Sequence, residues 1–338
     1  SKTTNMGGMF SECKSLSSLD VSNWDVSNVT IMASMFDDCE SLDTLNVSGW
    51  DVSNVTDMES MFDGCESLKT LDVSNWVVSN VTNMRYTFCG CESLTSLNVS
   101  NWDVSNVTNM YGMFRSFRSP AVIDVSRWNV SKVTNMGLMF DSGRFTKLDV
   151  SNWDVSNVTN MERMFDSCSI ASLDVTKWNT SNVTNMRQMF EYCSIASLDP
   201  SNWDVSKIKD MHGMLSHCGH LTDLNVSKWD VSNVTNMSEM FSYSDKLPSL
   251  NVSGWDTSSV QFMGEMFAAC SKLTTLDVSK WNVSRVTDMD EMFWECESLA
   301  SLNVSKWDVS SVRSMEQMFC QCKALASLDV SGWNTSNL

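Results

Sequence analysis

Apolar residues recur along this chain in a fixed order. In the copy that opens at Leu16, LSSLDVSNWDVSNVTIMASMFDDCES, they fall at Leu16, Leu19, Val21, Trp24, Val26, Val29, Met32, Met35, Phe36 and Cys39. Two periods are present. Leu19-Asp20-Val21-Ser22 alternates apolar and polar, the pattern of a short strand with one buried face. Met32, Met35, Phe36 and Cys39 stand at i, i+3, i+4 and i+7, which predicts a helix of about two turns with one apolar stripe. Thr30 precedes that stripe where an N-cap belongs. Thr56 with Glu59, and Thr159 with Glu162, have capping-box spacing.

The same order returns through the whole chain. Its tryptophan stands at 24, 50, 76, 102, 128, 153, 178, 203, 229, 255, 281, 307 and 333, spacings of 25 or 26 residues. Each copy predicts a strand, a turn or second extended piece, and a helix. One such coil cannot cover its own apolar face, whereas stacked coils can. The expected fold class is an α/β solenoid of 13 stacked coils, with parallel strands about 4.8 Å apart, and residues 1–338 are expected to form a single repeat solenoid. Stacks of this kind are normally closed by polar caps, and none is recognisable at either end. Ser1-Lys2-Thr3 and Ser336-Asn337-Leu338 are equivalent points in the repeat. That is the expectation for a piece of a longer ectodomain, or for a subunit that joins head to tail into a filament.

The pattern L-x-x-L-x-V-x-x-W-x-V resembles the leucine-rich repeat, with Trp in place of the usual Asn ladder. The fuller unit, with NVTNM, MF, Cys and SL, resembles the BspA-like leucine-rich-repeat surface proteins, in particular their 25-residue variant in bacterial lipoproteins and wall-anchored proteins. The resemblance covers essentially the whole chain. It implies a leucine-rich-repeat-like solenoid, export, display outside the cell or on its surface, and adhesion or protein binding. It implies no catalytic residues.

The coils can be compared with one another. Two Met columns account for all 25 methionines, broken only at Thr87, and the Phe column is broken only at Leu215. Such constancy marks packed interior. The Trp column (Trp24, Trp50, Trp76, Trp102, Trp128, Trp153 and onward) admits no Tyr or Phe, which favours a structural bracket whose indole N–H bonds a turn carbonyl over an exposed carbohydrate-binding track. Asp and Asn interchange in two flanking columns, from Asp20 and from Asp25, so a short acceptor for turn and ladder bonds is what those positions share. Calcium between coils is the sharper alternative, but the glycine-rich nonapeptide of calcium-binding rolls is absent, and no cofactor is expected. A third column holds Cys13, Cys39, Cys65, Cys91, Cys168, Cys193, Cys218, Cys270, Cys296 and Cys322; its runs and the Phe117 break favour buried thiols over a chain of disulfides. Cys89 and Cys320 follow the Phe in a column expected to face solvent, which makes them candidate cross-links. Asn-x-Ser/Thr sequons, at Asn54 and Asn80 among others, are generated by the repeat itself.

Variation concentrates on the expected outer helix face. It carries Tyr86, Tyr111, Tyr192 and Tyr243, every tyrosine in the chain, and Trp294, the one Trp off the ladder. Tyr and Trp are what interfaces prefer. Arg115, Arg118, Arg127, Lys132, Arg144 and Lys147 form a basic cluster near Pro120. His212, His217 and His220 share one coil, but their helical spacing does not converge on a metal.

The net charge of −18, from 41 acidic against 23 basic residues, disfavours nucleic acid, which needs Lys and Arg at its phosphates, and anionic membranes. It favours basic partners. No apolar run approaches the roughly 20 residues of a membrane helix. No signal peptide opens the chain; SKTTNM already aligns with SNVTNM, so a targeting segment is expected outside it. No phosphate loop, nucleophile elbow or paired catalytic acids stand apart from the repeat. The expectation is a non-enzymatic surface protein that binds a protein or glycan on a cell, or a structural protein that binds copies of itself end to end.

Overall fold

The computed structural model describes residues 2–119 and 121–338, with only the backbone of Ala121. The chain forms two compact units, Ser1–Ile170 and Ala171–Leu338, each a parallel stack of coils in the repeat register.

The interior is the one the apolar pattern predicts. In the coil that follows Leu42, the side chains of Leu42, Leu45, Val47, Trp50, Val52, Val55, Met58, Met61, Phe62 and Cys65 are buried. Phenylalanines stack one above another: Phe36 and Phe62 have ring centroids 5.6 Å apart at 6°, and in the second unit Phe267 and Phe293 lie 5.7 Å apart at 6°. Each such ring adds about 1.5–3 kcal/mol of apolar burial. A coil alone would leave that ring half in water.

Strands are sparse. β1 (Ser18–Leu19) and β2 (Thr44–Leu45) pair in parallel, Leu19 opposite Leu45. β3 (Ala121–Val122) pairs in parallel with β4 (Phe145–Lys147), with a register irregularity after Ala121. Single parallel bridges continue the contact elsewhere, as at Ser249 and Thr275. A second column of bridges was not expected: Asn5, Ile31, Asp57, Asn83, Asn109, Asn135 and Asn160 succeed one another in the first unit.

The predicted helix does not form. No helix occurs among the described residues. Between Met32 and Cys39 the backbone makes a ladder of turns whose amides point to the next coil: Met32 N–H donates to Asp57 O (3.0 Å), Ser34 to Glu59 (2.7 Å), Phe36 to Met61 (3.0 Å) and Asp38 to Asp63 (2.7 Å). Within the coil, Met35 N–H bonds Met32 O and Cys39 N–H bonds Phe36 O, each three residues back rather than four. The third residue of each turn is left-handed, with φ of 54° at both Ser34 and Asp38, as a type II turn requires. Two such residues recur in every coil.

Helix diameter explains the outcome. An α-helix with its side chains is roughly 10–12 Å across, and rings in this segment succeed one another at 5.5 to 5.9 Å. A helix on every coil has no room at that spacing. Two consecutive four-residue turns present the same i, i+3, i+4, i+7 stripe inward and send their remaining amides outward along the stack. The threonines are therefore not caps. Thr56 Oγ1 donates to Thr30 O (3.1 Å) in the preceding coil, and Thr159 Oγ1 to Thr134 O (3.1 Å).

Candidate functional site

The recurring polar side chains of the motif bind the coils to one another. The indole N–H of Trp50 donates to Val21 O (3.1 Å), the carbonyl that also closes the turn to Trp24. Trp102 does the same to Val73 (3.1 Å), and Trp229 to Pro200 (3.0 Å), where the proline keeps the carbonyl and loses only an amide. Successive indoles stack, with Trp50 and Trp76 at 6.4 Å and 1°. The Trp column is thus a bracket onto a turn carbonyl, as expected, and its rings are buried or half-buried.

Cysteine repeats the device. Cys65 Sγ lies 3.2 Å from Phe36 O, another turn carbonyl one coil back, and Cys296 Sγ 3.2 Å from Phe267 O. Where the column changes to Ser244, the hydroxyl makes the same bond to Leu215 O (3.1 Å). Where Thr87 replaces Met, its Oγ1 reaches Met58 O (3.0 Å). Cys39, Cys65, Cys218, Cys270 and Cys296 carry thiols outside any disulfide, and burial pushes the Cys270 thiol up to about 12. Asn54 Nδ2 donates to Ser27 O (2.8 Å) and Asn80 Nδ2 to Ser53 O (2.7 Å), so the sequon amides are held in the stack.

Both Asp/Asn columns make Asx turns. Asp72 Oδ1 accepts from the Ser74 N–H (3.1 Å) and hydroxyl (2.7 Å), and these two donors hold its carboxyl below the usual range. Asp51, Asp103 and Asp277 are lowered in the same way by the serine two residues on. A third Asx column, at Asp57, Asn83 and Asn109, bonds the amide two residues ahead in each case. No group of three His, Cys, Asp or Glu suited to a metal occurs among the described residues. Likewise, no helix there is long and apolar enough to cross a membrane.

What the motif leaves free is the pair of positions around each left-handed residue of the turn ladder. Most of the predicted contact residues lie there, on turns rather than on a helix face. In the first unit they are already partnered. Arg85 lies 5.0 Å from the ring centre of Tyr86 and 5.5 Å from that of Tyr111, while its NH1 meets Glu59 at 3.1 Å. Tyr86 and Tyr111 pack edge to face at 5.4 Å. Two members of the basic cluster are paired within the chain: Arg115 with buried Asp141 at 2.9 Å and Arg118 with Glu92 at 3.1 Å. Arg144 is exposed and stands at a bridge to Ser169, apart from the Arg115 pair.

The column of Cys89 and Cys320 does not face solvent. Both are half-buried, and Asp141, Asp166, Ser216 and Ser242 in the same column are buried. Burial and the neighbouring Asp63 raise the Cys89 thiol well above its ordinary range, which removes the thiolate that a cross-link needs.

In the second unit the turn ladder carries an exposed aromatic strip. Tyr192, His217 and Tyr243 occupy one column, and their rings stack at 4.0 Å and 4.3 Å. Trp294 approaches Tyr243 at 6.4 Å. Tyr192 is 55% exposed and Tyr243 38%. Three of these four were legible as candidate contacts. His217 was not, because the column is marked by no shared residue type; the signal was its place two residues after the Phe-column position, as for both tyrosines. The Ser216 hydroxyl lies 2.7 Å from His217 Nδ1 and 2.8 Å from Ser242 Oγ, and Ser242 Oγ donates to Glu239 O (3.1 Å). That chain places the imidazole proton on Nδ1. Burial lowers the His217 pKa, so the ring is neutral at pH 7.

Glutamates flank the strip. Glu239, Glu265 and Glu291 occupy the first left-handed column of three successive coils, and Glu295 the second. Burial and then the charges of Glu239 and Glu291 raise the Glu265 carboxyl.

A family model described as Mycoplasma protein of unknown function, DUF285, matches residues 4–123, 67–165, 87–200, 115–224, 195–275 and 273–338. No curated protein matches the chain. Among solved structures, a leucine-rich cell surface protein from Faecalibacterium prausnitzii is 18% identical, with TM-score 0.44, over 92% of this chain and 78% of its own. A leucine-rich repeat protein from Bacteroides ovatus is 13% identical, with TM-score 0.42, over 96% and 82%. The functional domain of InlJ from Listeria monocytogenes, which includes a cysteine ladder, is 14% identical, with TM-score 0.29, over 79% and 65%.

Proposed function

We propose that this chain, which belongs to the family of Mycoplasma proteins of unknown function DUF285, is a non-enzymatic repeat protein that binds a protein partner, acting in adhesion outside the cell or at its surface. One observation carries the reading. The recurring polar side chains of the motif, Trp, Cys, Asn, Thr and Asp, are engaged by neighbouring turns and coils, while residue type changes most freely on the turn ladder. A scaffold of fixed bonds that presents one variable surface suits recognition. Surface loops and turns on a rigid frame are where binding residues concentrate.

The test is saturable binding of the purified, labelled chain to intact cells, with and without prior shaving of their surface by protease. Binding that saturates and disappears after shaving supports the reading. Uniform, unsaturable binding, or none, overturns it. Binding that survives protease and is removed by glycosidase replaces the protein partner by a glycan.

A further inference from the structure

The two units treat the same chemistry differently. In the first, carboxylates of the turn ladder meet arginines of the chain: Glu59 with Arg85 at 3.1 Å, Asp141 with Arg115 at 2.9 Å, Asp166 with Arg163 at 2.6 Å. Arg85 shows the complete arrangement, a guanidinium held by a glutamate with its central carbon over two tyrosine rings. In the second unit the aromatic rings and carboxylates are present, and Arg187, at the repeat position of Arg85, lies on an earlier coil than the glutamates. Glu239 has His212 at 3.8 Å, but among the described residues no Lys or Arg forms an ion pair with Glu239, Glu265, Glu291 or Glu295.

We propose that the strip Tyr192, His217, Tyr243 and Trp294, with the glutamates beside it, is the docking site for a lysine- or arginine-rich segment of a protein partner. The proposal rests on the protein-binding reading above and names the partner's chemistry. The long stems of Lys and Arg are apolar and lie against aromatic rings while their heads reach a carboxylate a few ångströms beyond. Glutamates stacked on successive coils repel one another, and an incoming row of cations at the coil repeat relieves that repulsion. Neutral His217 adds ring surface without adding opposing charge. The net charge of −18 speeds the approach of such a partner.

Fluorescence anisotropy of a short labelled peptide of alternating lysine and serine tests this with the full chain. Saturable binding at low ionic strength is expected. Joint replacement Glu265→Gln, Glu291→Gln and Glu295→Gln is expected to weaken it roughly tenfold or more. The pair Tyr192→Gly and Tyr243→Gly removes the rings at two left-handed positions (φ 54° and 56°) that glycine adopts freely, so the coil is kept; a similar loss is expected. Asp37→Asn, Asp38→Asn and Asp63→Asn, which remove as much charge from the first unit, are expected to leave affinity within about twofold, the residue of long-range steering. Equal loss from the first-unit variant, or full binding by the Tyr pair or the Glu triple, overturns the proposal. Protease-sensitive cell binding that persists in the Glu triple would leave the general reading standing while this site falls.

Discussion

Single residues in this fold are defined by which carbonyl they reach. Trp102→Phe removes the donor to Val73 O and part of a buried ring, and about 2 kcal/mol of stability is expected to go with it in denaturant unfolding. Cys65→Ser retains a donor to Phe36 O, as Ser244 does to Leu215 O, so it is expected to cost clearly less than Cys65→Ala, which has none. Asp37 is a different case. Burial, then the charges of Asp63, Asp38 and Glu12, raise its carboxyl to about 6. The folded state therefore holds the proton more tightly than the unfolded one, and Asp37 stabilises the fold more as pH falls from about 6 toward the ordinary carboxylate value. Asp37→Asn is expected to raise the melting temperature at pH 7.5 and to flatten that part of the pH profile. The Asx aspartates act in the opposite sense. Their folded pKa values are lowered, so their contribution is present above the ordinary carboxylate range and is lost on further acidification. His217, lowered by burial, also favours the fold above the ordinary imidazole value and less as pH falls through its own.

At the scale of the element, the sequence misled in one definite way. The stripe Met32, Met35, Phe36, Cys39 belongs to an α-helix and to a pair of four-residue turns alike, because both return the chain to one face after three and four residues. Side-chain pattern could not separate them; backbone spacing could. A helix satisfies its amides within the coil, and coils this close cannot hold one. A second clue was available. Gly8, Gly64, Gly90, Gly112 and Gly213 sit at the two positions of the segment that the structure makes left-handed, and glycine in a helix centre is costly. The strand alternation at Leu19, the packed columns and the Trp bracket were legible because each follows from burial or from a single donor. The aromatic strip was partly legible, through its rare residue types. Far-UV circular dichroism of the purified chain is expected to lack the paired helical minima. Glu265→Gly, at φ 56°, is expected to stabilise by about 1 kcal/mol, the cost of a left-handed side-chain residue; destabilisation there would restore the helix.

At the scale of the molecule, the coils are bound by bonds of fixed register. Removal of one whole repeat, residues 43–68, aligns Met32, Ser34, Phe36 and Asp38 with the carbonyls of residues 83, 85, 87 and 89, which now serve Met58, Ser60, Phe62 and Gly64. The shortened chain is expected to fold with a modestly lower melting temperature, as nearest-neighbour energetics require, whereas removal of half a repeat should leave a chain that loses its cooperative transition. The bond register also has a direction. Each turn carbonyl that receives an indole or a thiol receives it from a residue 28 or 29 positions later, and the amides of each turn ladder likewise look ahead for their acceptors. A coil emerging from the ribosome is thus fastened by the coil translated next, so the stack closes in the order in which it is made, one repeat behind synthesis.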